Sequence, residues 1–113
     1  MGRTDAIKDK ILKLGAKQKL SAVIKFADNS EDDVRVAVAI AMGMIPSYES
    51  GMALIPLLRD SSPAVRAAAA TAAADIKAKH REEYVKKLAF ADADPTVRQI
   101  AKAAFDKLKD NVV

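Results

Sequence analysis

The dipeptide Val-Arg recurs along this sequence at intervals of 31 and 32 residues, as Val34-Arg35, Val65-Arg66 and Val97-Arg98. The aspartates that precede the three copies are 32 residues apart: Asp28, Asp60 and Asp92. Self-similarity with a period of ~20–50 residues is typical of folds in which one supersecondary unit packs against the next. The sequence therefore predicts a stack of repeated units that share a core between neighbours.

Each unit has the pattern of a helix, a tight loop and a second helix. Pro63 and Pro95 stand where the first residue of a helix should be, a position that suits the fixed φ of proline. The polar residues just before them, Ser62 and Asp94, are predicted N-caps, and Ser30 is the predicted cap in the first unit. Alanine, the best helix former, fills 23 of the 113 positions, so the core is predicted to be thin and the helices closely spaced.

The pattern predicts helices at about 4–14, 16–27, 32–45, 48–59, 63–78, 81–91 and 95–110. Together they form a single domain over 1–113, with a capping helix at 4–14 and three hairpins at 16–45, 48–78 and 81–110. Gly15 is expected to end the first helix. Pro56 is expected to bend its helix, because it has no N–H to donate to the carbonyl of Met52.

Two stretches, Leu54–Arg66 and Phe90–Arg98, carry an Asp…Val-Arg signature that resembles the HEAT repeat, in particular the short variety of bilin-lyase-like proteins. A weaker copy is Phe26–Arg35, and the resemblance covers 16–110. It implies an all-α solenoid in which the second helix of each hairpin, helix B, lines an extended surface. It also implies a ladder between adjacent repeats, formed by Asp28, Asp60 and Asp92 with Arg35, Arg66 and Arg98.

The two terminal helices have the polarity expected of solenoid caps. In the last helix a polar stripe lies opposite Ile100, Ala104 and Leu108, and consists of Gln99, Lys102, Asp106, Lys109 and Asp110. In the first helix an apolar stripe is formed by Ile7, Ile11 and Leu14. A monomer is therefore expected, with weak end-to-end pairing of two copies left open.

No catalytic or metal-binding pattern is found in the sequence. The start of a calcium loop at Asp28–Asp33 lacks the required glycine at its sixth position and the bidentate Glu at its twelfth. His80 is the single histidine, and the chain has no cysteine, so His80 is expected to lie in solvent in a turn. Met42, Met44 and Met52 are expected to fill the core rather than to form an adaptable binding surface. We expect no enzymatic activity, no cofactor and no metal. No apolar run is long enough to cross a membrane, and a cytoplasmic location is expected.

These observations favour a protein-binding or scaffold module that uses the helix-B surface. The residues predicted to contact a partner are Arg35, Arg66, Thr71, Arg98, Gln99 and Lys102. The arginine row has two interpretations at this point, a structural ladder or a binding site for anionic groups.

Nucleic-acid binding is the alternative function. Residues 1–27 carry a net charge of +5, whereas residues 28–60 carry −4, so the cations concentrate at one end. The surface expected to bind nucleic acid consists of the helix at 77–87 and the N-terminal lysines Lys8, Lys10, Lys13, Lys17, Lys19 and Lys25. A third reading, activity like that of a bilin lyase, rests on the resemblance of the repeats alone.

Overall fold

The computed structural model describes residues 2–110, with side chains up to Lys109, and this part of the chain is helical without strands. The elements in chain order are α1 Arg3–Ala16, α2 Leu20–Ile24, α3 Asp32–Met42, α4 Tyr48–Ala53, α5 Ile55–Leu58, α6 Pro63–Asp75, a 3-10 turn Lys79–Arg81, α7 Glu82–Ala91 and α8 Pro95–Asp110. The all-α prediction is confirmed.

The helices form two layers. In the B layer α1, α3, α6 and α8 lie in a row, each in contact with the next. The shorter helices α2, α5 and α7 pack against α3, α6 and α8 respectively, and so form the A layer. The valine of each Val-Arg dipeptide is at most 1% exposed and anchors its B helix in the core: Val34, Val65 and Val97. The repeat in the sequence is therefore a repeat of buried positions.

Helix α1 belongs to the B layer. The sequence predicts that Gly15 ends this helix, but α1 continues to Ala16. A Cβ at Gly15 would lie 2.8 Å from both Cα and Cβ of Ala41. Gly43 approaches Ala72 in a similar way, since a Cβ there would lie 3.1 Å from the Ala72 side chain. The glycine is thus needed where α1 packs closely on α3, and the chain turns later, at Gln18, which has φ 59°.

The first two A helices are shorter or more divided than predicted, whereas the third, α7, is found where it was expected. The first predicted A helix, 16–27, is reduced to α2, because the chain is still leaving α1 at Lys17 and Gln18. The second, 48–59, is divided into α4 and α5 at Leu54, two residues before Pro56. A proline ring cannot donate a backbone hydrogen bond and crowds the carbonyl four residues earlier, which accounts for this break.

Of the three predicted N-caps, only Asp94 acts as one through its side chain. Its Oδ1 accepts hydrogen bonds from the N–H groups of Thr96 at 2.8 Å and Val97 at 3.0 Å. The cap position of α6 is Ser62, but its side chain makes no capping bond. The cap position of α3 is Glu31 rather than Ser30. The proline at the start of α6 and the two acidic residues at the start of α3 stabilise these helices instead.

Candidate interaction surfaces

Two arginines tie consecutive repeats together. Arg35 donates from Nε and Nη2 to the two carboxylate oxygens of Asp60 at 2.9 and 3.0 Å. Arg66 binds Asp92 in the same way at 2.8 and 3.0 Å. All four side chains are largely buried, between 5% and 16% exposed. These are two-bond ion pairs, the geometry for which a guanidinium is suited.

Each arginine is held in position by its own loop. The Nη1 of Arg66 donates to the carbonyl of Asp60, six residues earlier, at 2.8 Å, and the Nη1 of Arg35 donates to the carbonyl of Asn29 at 2.8 Å. Asp60 and Asp92 are fixed as well, because the Oδ1 of each accepts the N–H of the residue two positions later, at 2.9 Å. Both partners of each ion pair are thus oriented by hydrogen bonds within their own loops.

The pairing changes the pKa values of these groups. The hydrogen bond from Arg66 is the main cause that lowers the pKa of Asp92, and burial opposes it less strongly. For Asp60, burial is the largest single cause and acts to raise the pKa. The hydrogen bonds from Arg35 and from the Ser62 N–H, together with the charges of Arg35 and Arg66, outweigh it and lower the pKa. The pKa values of Arg35 and Arg66 are raised, mainly by their hydrogen bonds to these carboxylates. The ladder is fully ionised at neutral pH.

Asp28 does not occupy the first ladder position, which is a correction to the spacing argument. Asn29 takes that place: its carbonyl accepts from Arg35, and its Oδ1 accepts the N–H of Glu31 at 2.9 Å, as the aspartates do in the later repeats. Counted from Asn29, the intervals are 31 and 32 residues, the same as those of the Val-Arg dipeptides. Asp28 itself is exposed and forms no ion pair with any described residue.

Helix α1 offers no guanidinium to this position. Arg35 lies eight residues before Gly43, and the residue eight before Gly15 is Ile7. The two glycines make equivalent contacts with the following B helix. The first ladder position therefore holds an amide, and Ile7 stands in α1 at the register of the repeat arginine.

Arg98 makes the loop contact of a ladder arginine but has no ion pair with a described carboxylate. Its Nη1 donates to the carbonyl of Asp92 at 2.6 Å, which repeats the anchoring of Arg35 and Arg66. Among the described side chains, which end at Lys109, no carboxylate meets its Nε and Nη2. Lys102 lies nearby on the same helix, with its Nζ 5.9 Å from the centre of the Phe90 ring.

The other predicted partner residues lie apart from the ladder. Thr71 lines a groove of about 450 Å³ between α6 and α8, and Ile100 lines its opposite wall. Ile100 is thus exposed in a groove and is not on the buried side of α8, where the sequence placed it. Gln99 is exposed on α8. The predicted set of six is distributed over the ladder, this groove and the end of the stack.

Three lysines of the basic segment come together. Lys10, Lys13 and Lys17 line a groove of about 440 Å³ along α1, together with Asp9. Lys8 points elsewhere and pairs with Asp5 at 3.6 Å. The lysine cluster predicted for nucleic-acid binding is therefore smaller than the sequence suggested.

His80 lies in the exposed 3-10 turn, as expected, and its ring stacks on Tyr48 with 4.6 Å between ring centres. Burial and then the charge of Arg81 lower the pKa of His80. Arg81 itself is 7% exposed, and its Nη2 lies 3.0 Å from the sulfur of Met52. A basic residue in a turn gives no sequence signal of such burial. Among the described residues, no group of three His, Asp or Glu side chains is arranged to hold a metal ion.

The core-filling prediction for the methionines is correct for Met42, which is fully buried, and wrong for the other two. Met44 is 39% exposed and Met52 is 44% exposed. Phe90, at 62%, is an exposed aromatic that the sequence analysis did not select as a site. Phe90 stands two residues before Asp92, at the position that buried Leu58 holds one repeat earlier, so the repeat pattern gives no signal of its exposure.

The all-helical architecture agrees with the comparison to known families. The model of the family described as HEAT repeats matches residues 18–106. The chain belongs to the HEAT-repeat family. HEAT repeats generally form protein-interaction and scaffold modules. No curated protein matches the chain. Within residues 2–110, no helix of this HEAT-repeat protein has the length and hydrophobicity needed to cross a bilayer.

Proposed function

We propose that this HEAT-repeat protein is a non-enzymatic module that binds a partner protein on its B layer, at the groove between α6 and α8. The observation that carries the proposal is the composition of that groove. Its walls are formed by small or aliphatic side chains, and its acidic residue, Asp94, is engaged as the cap of α8. A groove of this kind favours an apolar partner surface over a phosphate backbone.

The groove continues into a row across the layer. Ile40, Thr71 and Ala103 each lie six residues after the repeat valine of their helix, and all three are exposed. Residues at the same register of parallel neighbouring helices share one face, so this row forms an uncharged band. The expected occupant is the apolar face of an amphipathic helix of another protein, with aliphatic side chains in the groove.

A pair of matched variants tests this proposal. A photo-crosslinking amino acid is placed at Thr71, or at Ser21 as the control, which is exposed on α2 in the other layer. We expect one protein to be crosslinked from Thr71 only, and to be lost from a complex with the Thr71→Arg variant but kept with Ser21→Arg. Equal crosslinking from both positions, or binding that survives Thr71→Arg, would count against this surface.

The alternative, nucleic-acid binding, is supported by the cluster of Lys10, Lys13 and Lys17. Binding through lysines and phosphates is weakened by added salt, because it releases counterions. Fluorescence anisotropy with a labelled single-stranded oligonucleotide at low salt tests it. Lys13→Glu should abolish the signal, while Lys107→Glu, on α8, should keep it. A flat titration of the unchanged protein removes this candidate.

The supporting role of Arg35 and Arg66 follows from their contacts. Their guanidinium groups already bind Asp60 and Asp92, so we propose that they position the repeats rather than contact a partner. Arg98 and Lys102 remain open to a ligand and belong to a different surface.

A further inference from the structure

The last described repeat presents the arginine of a ladder pair without a described carboxylate partner. Arg98 makes the same anchoring hydrogen bond to its own loop as Arg35 and Arg66 do. In Arg35 and Arg66, the Nε and Nη2 groups then bind the carboxylate of the following repeat. These two donors of Arg98 are directed by the same anchor, and no described carboxylate binds them. The guanidinium is thus oriented for a bidentate carboxylate in advance.

Arg98, Lys102, Phe105 and Lys109 follow one another along α8 at intervals of four, three and four residues and therefore share one face of the helix, which also carries an aromatic contact with Phe90. Phe90 is 62% exposed and meets Phe105 edge-on at 6.0 Å between ring centres. Lys102 lies over the Phe90 ring and Lys109 over the Phe105 ring, at 5.9 and 5.7 Å. We call these five residues the Arg98 face. Asp106 lies beside this face and pairs with Lys109 at 3.5 Å. The three cationic side chains of the face outnumber this carboxylate, so its net charge is positive.

We propose that the Arg98 face binds a helical segment of another protein that is both acidic and apolar. An aspartate or glutamate of that segment would accept two hydrogen bonds from Nε and Nη2 of Arg98. Its apolar side chains would cover Phe90 and Phe105, and further acidic residues would pair with Lys102 and Lys109. The segment would match the Arg98 face in charge and shape. The face offers two aromatic rings and the paired donors Nε and Nη2 of Arg98, which we call the fork, at the place where the internal repeats receive an apolar helix and a carboxylate. This surface is separate from the groove between α6 and α8.

A second copy of this chain fits the face less well. Head-to-tail stacking would bring the first repeat of one copy onto the last repeat of another. In such a stack α1 of one copy would meet α8 of the other, because these two helices stand at the ends of the B row. The outer side of α1 carries Lys10, Lys13 and Lys17, which would repel Lys102 and Lys109.

The first measurement uses the free protein. NMR of arginine side chains should show the Nε–H groups of Arg35 and Arg66 protected from exchange with water and that of Arg98 unprotected. A protected Nε–H of Arg98 in the free protein would overturn the proposal, since the fork would already be occupied.

The second measurement selects binders from a displayed library of helical peptides, with the Arg98→Gln protein as counter-selection. Enriched peptides should combine acidic and apolar residues, and they should shift the Arg98 Nε–H signal. Arg98→Gln should weaken their binding by roughly tenfold or more, because a hydrogen-bonded charge is lost. Arg98→Lys, which keeps the charge but not the fork, should weaken it by less. Lys107 lies on the same helix but pairs with Asp75, so Lys107→Gln is the matched control.

Three results would contradict the proposal. Peptides that bind Arg98→Gln as well as the unchanged protein would show that the fork is not used. Enriched sequences without acidic residues would show that the charge match is irrelevant. Sedimentation that shows the unchanged protein to self-associate, with dissociation in Arg98→Gln, would make a second copy the occupant.

Discussion

Arg66 and Asp92 lie 26 residues apart in the chain and meet through two hydrogen bonds, from Nε at 2.8 Å and from Nη2 at 3.0 Å. The pair connects the start of one B helix to the loop of the next repeat. Arg35 and Asp60 repeat the same geometry one unit earlier. Because the partners come from different units, each pair fixes the position of one repeat relative to the next.

The first prediction concerns this pair. Arg66→Met should lower the free energy of unfolding by about 1–3 kcal/mol, because Asp92 is then left mostly buried without its counter-ion. Asp92→Asn alone should also destabilise. Urea denaturation of both single variants and the double variant gives the coupling energy. Additive effects would mean that the two side chains do not interact in solution.

The second prediction is a loss of stability in acid. The pKa values of Asp60 and Asp92 are lowered in the folded protein, so the unfolded chain binds protons more readily. The stability that the ladder contributes is therefore fully present above about pH 4, where the unfolded carboxylates ionise, and is lost as pH falls through the folded pKa values. Urea denaturation between about pH 5 and pH 2 should show this loss. The slope should be smaller in Asp92→Asn than in the unchanged protein.

The third prediction concerns the contact of α1 with α3. Gly15→Ala should destabilise the protein by roughly 1–3 kcal/mol, since the new Cβ would come within 2.8 Å of the backbone of Ala41. The better helix propensity of alanine offsets only part of this cost. Gly2→Ala is the control, as a Cβ there meets nothing within 4 Å. Thermal unfolding would contradict the predicted packing if Gly15→Ala were as stable as the control.

The fourth prediction concerns His80. Its pKa is lowered, mainly because it is partly buried, with the charge of Arg81 as the next cause. Tyr48→Ala removes the stacked ring and should move the pKa of His80 upward, toward its ordinary value. Because the folded pKa is below the unfolded one, protonation opposes folding, and stability should fall as pH decreases from about 7 through the folded pKa. NMR titration of the ring protons measures both pKa values, and no change in Tyr48→Ala would exclude stacking as the cause.

Much of the candidate site was visible in the sequence, but its alignment was not. The pairs of Arg35 with Asp60 and of Arg66 with Asp92 correspond to the signature that the repeats carry. The equal spacing of Asp28, Asp60 and Asp92 predicts Asp28 as the first acidic residue of the ladder. In the structure the loop geometry decides, and Asn29 has the same backbone contacts as Asp60 and Asp92.

The helical hairpins and their period follow from the order of residues alone, since the repeated valines, the prolines at helix starts and the cap at Asp94 are signals that extend over a few residues. Tertiary structure alone decided that α1 joins the B layer, that Arg81 is buried and that Met44 and Phe90 are exposed. It also decided that Arg98 has no carboxylate among the described residues. These features depend on which surfaces meet between residues far apart in the chain, and short-range patterns carry no information about that.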